Sequence, residues 1–236
     1  MSLETLYNLY QFDMNLRHLL LPALEFFEVQ LRAKIAYQLA ITYGSMGYMD
    51  AENFRPETLP NGSSLHKNLI GKFKNEVKRQ GALPFVRHHN IKYGGQFPIW
   101  VAVELFTFGM LGSLFDLMRE NDQRAVSREY NLSPESLSRL IASAVDVRNI
   151  CAHYNRLYNR VLDDQPLLPN RLRLYESDRL FPLLLAFAHI LGRERVLNRL
   201  ITGLSLLEAD FPEADLSLCG FPEDWRSILE AEAAQS

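Results

Sequence analysis

The sequence predicts an all-α fold, a helical bundle with additional helices. Apolar residues recur every three or four positions along most of the 236-residue chain, which is the period of one buried helix face. No segment alternates apolar and polar side chains as a half-buried strand would. Apolar residues make up 47% of the chain, enough for an ordinary core, so we expect one all-α domain over residues 1–236.

The first helix is predicted over Leu3–Tyr43, with Pro22 as a kink or as the first residue of a second helix. Its buried stripe consists of Leu16, Leu20, Leu24, Phe27, Leu31, Ile35 and Leu39. Gly44 is expected to end it. Glu28 and Arg32 stand four residues apart and predict a salt bridge along the helix, unless Arg32 reaches a functional site.

Gly44–Ser64 is rich in Gly and Pro and is predicted to be a loop. Ser63 or Ser64 can cap a helix that continues to about Arg79. One face of this helix carries Lys67, Lys72, Lys74 and Lys78. That face is either a solvated surface or a surface that follows an RNA backbone.

The most hydrophobic helix is predicted over Ile99–Met118, beginning after Pro98. Glu104 is the lone carboxylate near its middle, and a buried carboxylate requires a partner. Arg32 and Arg148 are the candidates. We expect Glu104 to orient other side chains and not to act on a substrate directly.

Ser133-Pro134-Glu135 has an N-cap residue, a first-turn proline and a first-turn acid, and it opens the next predicted helix. This helix is predicted over about 134–160, before two prolines at 166 and 169. Further helices are predicted over about 171–231, with a division near Gly192.

The segment Val145–Arg160 holds the densest cluster of polar side chains in the sequence. Wound as a helix at about 100° per residue, it places Asn149, His153, Arg156 and Arg160 on one stripe. A second polar strip beside this stripe carries Arg148, Asn155 and Asn159. The opposite side carries Ile150, Tyr154, Leu157, Tyr158 and Val161, which are predicted to face a core.

An imidazole among guanidinium groups suits a phosphate ester. Arginine pairs its donors with phosphate oxygens, and the imidazole exchanges a proton near neutral pH. The alternative is a solvated helix face with ordinary surface arginines. The Arg148–His153 spacing alone does not decide between them, because chains of this composition match it by chance.

The net charge of −3 gives no global basic field, so nucleic-acid binding requires a local patch. Cys151 and Cys219 form neither a disulfide framework nor a zinc spacing, and Cys151 is predicted to be a core residue. No signal peptide and no long uncharged apolar run is present, which predicts a cytoplasmic protein without membrane contact.

The string R-N-I-C-A-H-Y-N-R-L-Y-N-R, residues 148–160, resembles the signature of Abi-like abortive infection proteins of the AbiD/AbiF type, within the HEPN superfamily. The resemblance continues upstream in Tyr10–Leu21, Glu28–Arg32 and Pro98–Gly109, in order. The family usually has two adjacent histidines, whereas here the second position is Tyr154.

The resemblance implies a HEPN-like all-α fold and a metal-independent endoribonuclease that serves phage defence or acts as a toxin. It implies Arg148 and His153 as the catalytic pair and Asn149 as their polar neighbour, with no metal or cofactor. The substrate-binding or positioning residues predicted around them are Asn149, Tyr154, Arg156 and Arg160, and the supporting residues are Glu28, Arg32 and Glu104.

The resemblance also implies a homodimer with a composite active site, with RNA as substrate. An antitoxin or another defence protein is a further expected partner. Two alternatives stay open: a non-catalytic RNA-binding or sensing module in which Tyr154 stacks a base, and a scaffold for a defence partner.

Overall fold

The computed structural model describes residues 2–235 and confirms the all-α prediction. Short 3-10 turns join the α-helices, and the described residues form no sheet. The helices are α1 (Leu3–Tyr43), α2 (Leu65–Arg79), α3 (Pro84–Lys92), α4 (Ile99–Ala102), α5 (Phe108–Leu117), α6 (Glu120–Arg128), α7 (Pro134–Ala152), α8 (Phe181–Leu191), α9 (Arg195–Asp210) and α10 (Trp225–Ala233).

The chain packs as two compact units. The terminal unit combines the residues up to Phe27 with those from Glu135 onward, and the central unit is Glu28–Pro134. Helix α1 therefore contributes its first part to the terminal unit and its second part to the central unit.

Helix α1 continues through Pro22, which is exposed. All seven residues of the predicted stripe are at most 1% exposed, so apolar burial on both sides of the proline favours one helix. Gly44 ends the helix as predicted. Its φ of 74° lies in the left-handed region, and its N–H donates to the carbonyl of Ala40 at 3.0 Å.

The core of the terminal unit is built around α7 and α8. Leu137, Leu140 and Val147 of α7 are at most 1% exposed, and every residue of α8 from Phe181 to Ala188 is buried. Helix α8 also contacts α9 and α10. A helix that is buried on every side needs apolar side chains on all of its faces, and α8 has this composition.

A buried carboxylate ties α10 to the rest of the terminal unit. Glu232 is 2% exposed; it accepts a hydrogen bond from Nη2 of Arg171 at 2.8 Å and lies 2.7 Å from Nδ1 of His189. Burial alone would raise the pKa of Glu232, but the hydrogen bonds from Arg171 and His189 outweigh it and lower this pKa.

In the central unit the predicted helix Ile99–Met118 is wrong, because the chain breaks into α4, a 3-10 turn (Val103–Leu105) and α5. Phe106 is extended, with φ −78° and ψ 130°. The Thr107 hydroxyl then accepts from the N–H of Met110 at 3.3 Å and caps α5. The hydrophobic pattern did not predict this break, because the residues on both sides of it are apolar.

Of the two predicted capping residues, Ser63 and Ser64, it is Ser64 that caps α2, with its side chain accepting from the N–H of Lys67 at 3.3 Å. All four lysines of the predicted α2 face are exposed. This exposure fits both the solvated surface and the RNA-following surface.

Candidate functional site

The polar cluster lies where α7 ends. The helix stops at Ala152 and does not continue to Arg160, so the prediction of one helix over about 134–160 is wrong beyond that residue. His153 is the first residue after the helix, and Tyr154 follows in the left-handed region with φ 57°.

Two backbone hydrogen bonds close this end. The N–H of Asn155 donates to the carbonyl of Ile150 at 3.0 Å, and the N–H of Tyr154 donates to the carbonyl of Cys151 at 3.3 Å. This pair of bonds is a Schellman motif. Glycine normally occupies the left-handed position of that motif, and Tyr154 stands there instead, so the sequence carried no obvious stop signal.

A buried acid on α1 holds the loop that follows. Oδ1 of Asp13 accepts from the N–H groups of Leu157 at 2.8 Å and Tyr158 at 2.7 Å. Its Oδ2 accepts from Nε of Arg17 at 3.1 Å. Asp13 is 6% exposed and Arg17 is 3% exposed. The carboxylate therefore replaces the helical hydrogen bonds that Leu157 and Tyr158 would have made.

Sequence reasoning missed Asp13 and Arg17 as site residues. Both lie within the stretch Tyr10–Leu21, and they alternate with the buried Phe12, Leu16 and Leu20 along α1. The sequence did contain a signal for them, because Asp13 and Arg17 are opposite charges four residues apart on the buried face of α1. Charges on a buried face are normally paired with each other.

Three predicted site residues lie at the C-terminal end of α7. Asn149 and His153 are both exposed and lie one turn apart, and the N–H of His153 donates to the carbonyl of Asn149 at 3.0 Å. Arg148 is partly exposed, and its Nη1 lies 3.4 Å from Oδ1 of Asn149. A guanidinium, an amide and an imidazole thus lie within six consecutive residues at the end of α7.

Arg156 and Arg160 lie on the loop after α7 and not on the helical stripe. Arg156 is exposed, and Nη1 of Arg160 donates to its carbonyl at 3.3 Å. Arg160 is also close to Asp146 of α7. Burial raises the pKa of Asp146, and the charge of Arg160 opposes that rise.

Tyr154 was predicted to face a core, and this prediction is wrong. Its left-handed backbone places the residue outside the helix. Its side chain is 77% exposed, and Cζ of Arg17 lies 5.9 Å from the centre of its ring. Val161 is 54% exposed and was also predicted wrongly. Ile150 and Leu157, at 3% and 2% exposure, are core residues as predicted.

Cys151 is a core residue, as predicted, at 3% exposure. Burial is the main cause that raises the pKa of its thiol to about 12, with Arg17 opposing and Asp13 adding to the rise. A thiol with such a pKa is inert at neutral pH.

The three predicted supporting residues belong to the central unit. Nη2 of Arg32 donates to Oε1 of Glu28 at 2.7 Å, which is the expected helix salt bridge. Nη1 of Arg32 donates to the carbonyl of Phe106 at 3.0 Å, at the break before α5. Glu104 is exposed in its 3-10 turn, so its predicted burial is wrong.

Within residues 2–235, no group of three or more His, Cys, Asp and Glu side chains is arranged to hold a metal ion. Over the same residues, none of the helices has both the length and the apolar character that crossing a membrane demands.

Fold and site together define an all-α protein with an Arg-Asn-His cluster at the exposed end of a core helix. The family model for Abi-like proteins matches residues 1–159, from the start of the chain to the loop that Asp13 holds. The chain belongs to the Abi-like protein family. Comparisons with curated proteins and with solved structures give no match.

Proposed function

We propose that this protein is a metal-independent endoribonuclease of the HEPN type that acts in phage defence, by abortive infection or as a toxin. One observation carries the proposal. The Abi-like match covers the Arg148-Asn149-x3-His153 string, and His153 is exposed at the end of α7. An exposed imidazole and an arginine within the same six-residue string are the groups that cleavage of a phosphodiester requires.

In the proposed reaction the ribose 2′-oxygen attacks the adjacent phosphorus, and the bond to the 5′-oxygen breaks. His153 takes the 2′-hydroxyl proton or gives a proton to the leaving 5′-oxygen. Arg148 stabilises the charge that develops on the phosphorane, and Asn149 orients the imidazole or the phosphate. The products are a 2′,3′-cyclic phosphate and a 5′-hydroxyl.

Two arginines on the loop extend this site. Arg156 is exposed, and Arg160 contacts its carbonyl, so the loop carries two further cations for flanking phosphates. Asp13 holds the same loop from beneath through two backbone N–H groups. We assign Asp13 a positioning role, because a fixed loop keeps these cations in place while RNA binds.

The proposal includes a homodimer with a composite site. Cleavage requires one group to remove a proton and another to supply one, and the string has a single histidine. Tyr154 stands where the second would be, and a phenol is a poor substitute for an imidazole in proton transfer near neutral pH. A two-fold axis beside the end of α7 would bring two copies of His153 to one phosphate.

Incubation of purified protein with mixed RNAs in EDTA tests the proposal. Cleavage by the wild-type protein, lost in His153→Ala and strongly reduced in Arg148→Lys, is the expected result. Lysine keeps the charge of Arg148 but loses its planar fork of donors. Cleavage that requires a divalent cation would contradict the proposal.

A non-catalytic RNA-binding or sensing module is the second candidate, and the exposure of Tyr154 favours it. A ring that is 77% exposed beside arginines can stack a base without cleavage. In the same assay this candidate predicts RNA that is retarded but intact. A scaffold for an antitoxin or another defence protein would neither cleave nor retard RNA.

A further inference from the structure

A groove of about 660 Å³ lies within the terminal unit, next to the proposed catalytic cluster. One wall is the first part of α1, with Tyr10 and Arg17. The second is the loop after α7, beginning at Tyr154, the residue next to His153. The third is the segment 213–218 after α9. This volume is large enough to hold one nucleotide.

Aromatic rings line two of these walls. Tyr10 is 61% exposed and Tyr154 is 77% exposed. Tyr158 lies deeper: its ring packs edge-on against Phe12 at 5.3 Å, and its hydroxyl accepts from the N–H of Asp215 at 2.9 Å. Exposed rings beside a fixed one form a surface on which a flat base can stack.

The loop side of the groove is cationic. Arg156 is exposed there, and Arg17 lies beneath Tyr154. Arg17 uses Nε for Asp13, whereas its buried Nη1 has no hydrogen-bond partner among the described residues. A buried donor left unpaired costs free energy that an oxygen acceptor recovers.

The opposite side of the groove is acidic. Oε1 of Glu213 accepts from Nδ2 of Asn8 at 3.0 Å. Asp215 caps the turn Leu216–Cys219, and its hydrogen bonds with Ser217 lower its pKa, so it is ionised at neutral pH. Carboxylates repel phosphate but accept N–H donors on the edge of a base.

We propose that the groove binds one nucleotide of single-stranded RNA beside the scissile phosphate and selects guanine. The base stacks on Tyr10 and Tyr154, and its phosphate contacts Arg156. The N1–H and N2–H donors of guanine face Glu213 and Asp215. Uracil presents one N3–H donor between two carbonyl oxygens, and these oxygens would be repelled by the same carboxylates. The choice of RNA rests on the proposed function, whereas binding in the groove does not require cleavage.

Fluorescence anisotropy with two fully 2′-O-methylated hexamers tests this proposal. One hexamer is oligouridine and the other carries a single central guanosine. Wild-type protein is expected to bind the guanosine hexamer at least about fivefold more tightly. The double variant Glu213→Gln/Asp215→Asn should lose this preference, because an amide also presents a donor to the base.

Matched variants separate stacking from general attraction. Tyr154→Ala should weaken binding of the guanosine hexamer at least about fivefold, and Tyr154→Phe should retain it. Tyr7→Ala is the control, since Tyr7 is a 62% exposed tyrosine of α1 that does not line the groove. Arg156→Ala should weaken binding, and Arg199→Ala, another exposed arginine outside the groove, should not.

Equal affinity for the two hexamers, or equal binding by Tyr154→Ala and Tyr7→Ala, would overturn the proposal. So would a change of sedimentation in Tyr154→Ala with unchanged RNA affinity, which would make the groove a protein interface. The 2′-O-methyl group blocks attack by the 2′-oxygen, so a protein without ribonuclease activity still gives a clear result. Failure of this inference and failure of the proposed cleavage are thus distinguishable.

Discussion

Asp13→Asn tests how much the buried pair on α1 contributes to the terminal unit. The amide oxygen can still accept from the N–H groups of Leu157 and Tyr158. The amide nitrogen, however, replaces the oxygen that lies 3.1 Å from Nε of Arg17, so two donors face each other. Arg17 is 3% exposed and loses its counter-charge.

Removing one partner of a buried ion pair costs about 3–5 kcal/mol, so we expect a loss of that size in the free energy of unfolding of the terminal unit. The assay is urea unfolding followed by circular dichroism. Glu230→Gln is the control, because Glu230 pairs with Arg226 at the same i, i+4 spacing but both side chains are more than half exposed. That variant should cost less than about 1 kcal/mol.

The double variant Asp13→Asn/Arg17→Met removes the stranded charge and should recover part of the lost stability. Labelling of Cys151 by a thiol reagent gives a second measure. The labelling rate should rise in Asp13→Asn, because Cys151 is buried and lies close enough to Asp13 and Arg17 for their charges to act on its thiol. If Asp13→Asn costs no more than Glu230→Gln and leaves Cys151 unlabelled, the role assigned to Asp13 is refuted.

Three further predictions concern stability, pH and assembly. Cys151→Ser should cost about 1–3 kcal/mol in urea unfolding, because it buries a hydroxyl, and should leave the cleavage rate of the folded protein unchanged; lost activity with an unchanged melt would contradict this. The folded-state pKa of Glu232 lies below its ordinary value of 4.5, so its contribution to stability is present above that pH and disappears as the pH falls through the folded pKa. The difference in unfolding free energy between wild type and Glu232→Gln should therefore shrink as the pH falls below 4.5, and a constant difference would argue against the assignment. Mixing equal amounts of wild type and His153→Ala, with full subunit exchange, should leave about a quarter of the wild-type activity if both copies of His153 serve one site; about half would indicate independent sites.

The features that depend on residues close in sequence were predictable. The α1 stripe, its end at Gly44 and the Ser64 cap each depend on neighbours within a few residues, and the structure has all three. The buried position of Cys151 also followed from the period of α7.

The loop after α7 was not predictable in the same way, because a contact 144 residues distant in sequence holds it. Asp13 accepts a hydrogen bond from the N–H of Leu157. A prediction that residues 153–160 are helical considers only nearby residues, so it cannot include that bond. The same error placed Tyr154 in the core, whereas its left-handed backbone exposes it. The break at Phe106 was unpredictable for a related reason. The carbonyl of Phe106 accepts its hydrogen bond from Arg32, which belongs to another helix.

Analysis of the RNA ends produced in EDTA tests the central claim most directly. The wild-type protein should produce 2′,3′-cyclic phosphate and 5′-hydroxyl ends, and His153→Ala should produce none while keeping the wild-type melting curve. His88→Ala removes an exposed histidine of α3 and should behave as wild type. Cleavage by His153→Ala at the wild-type rate, or 3′-hydroxyl and 5′-phosphate ends from the wild-type protein, would contradict the assignment of His153 as the acid or base.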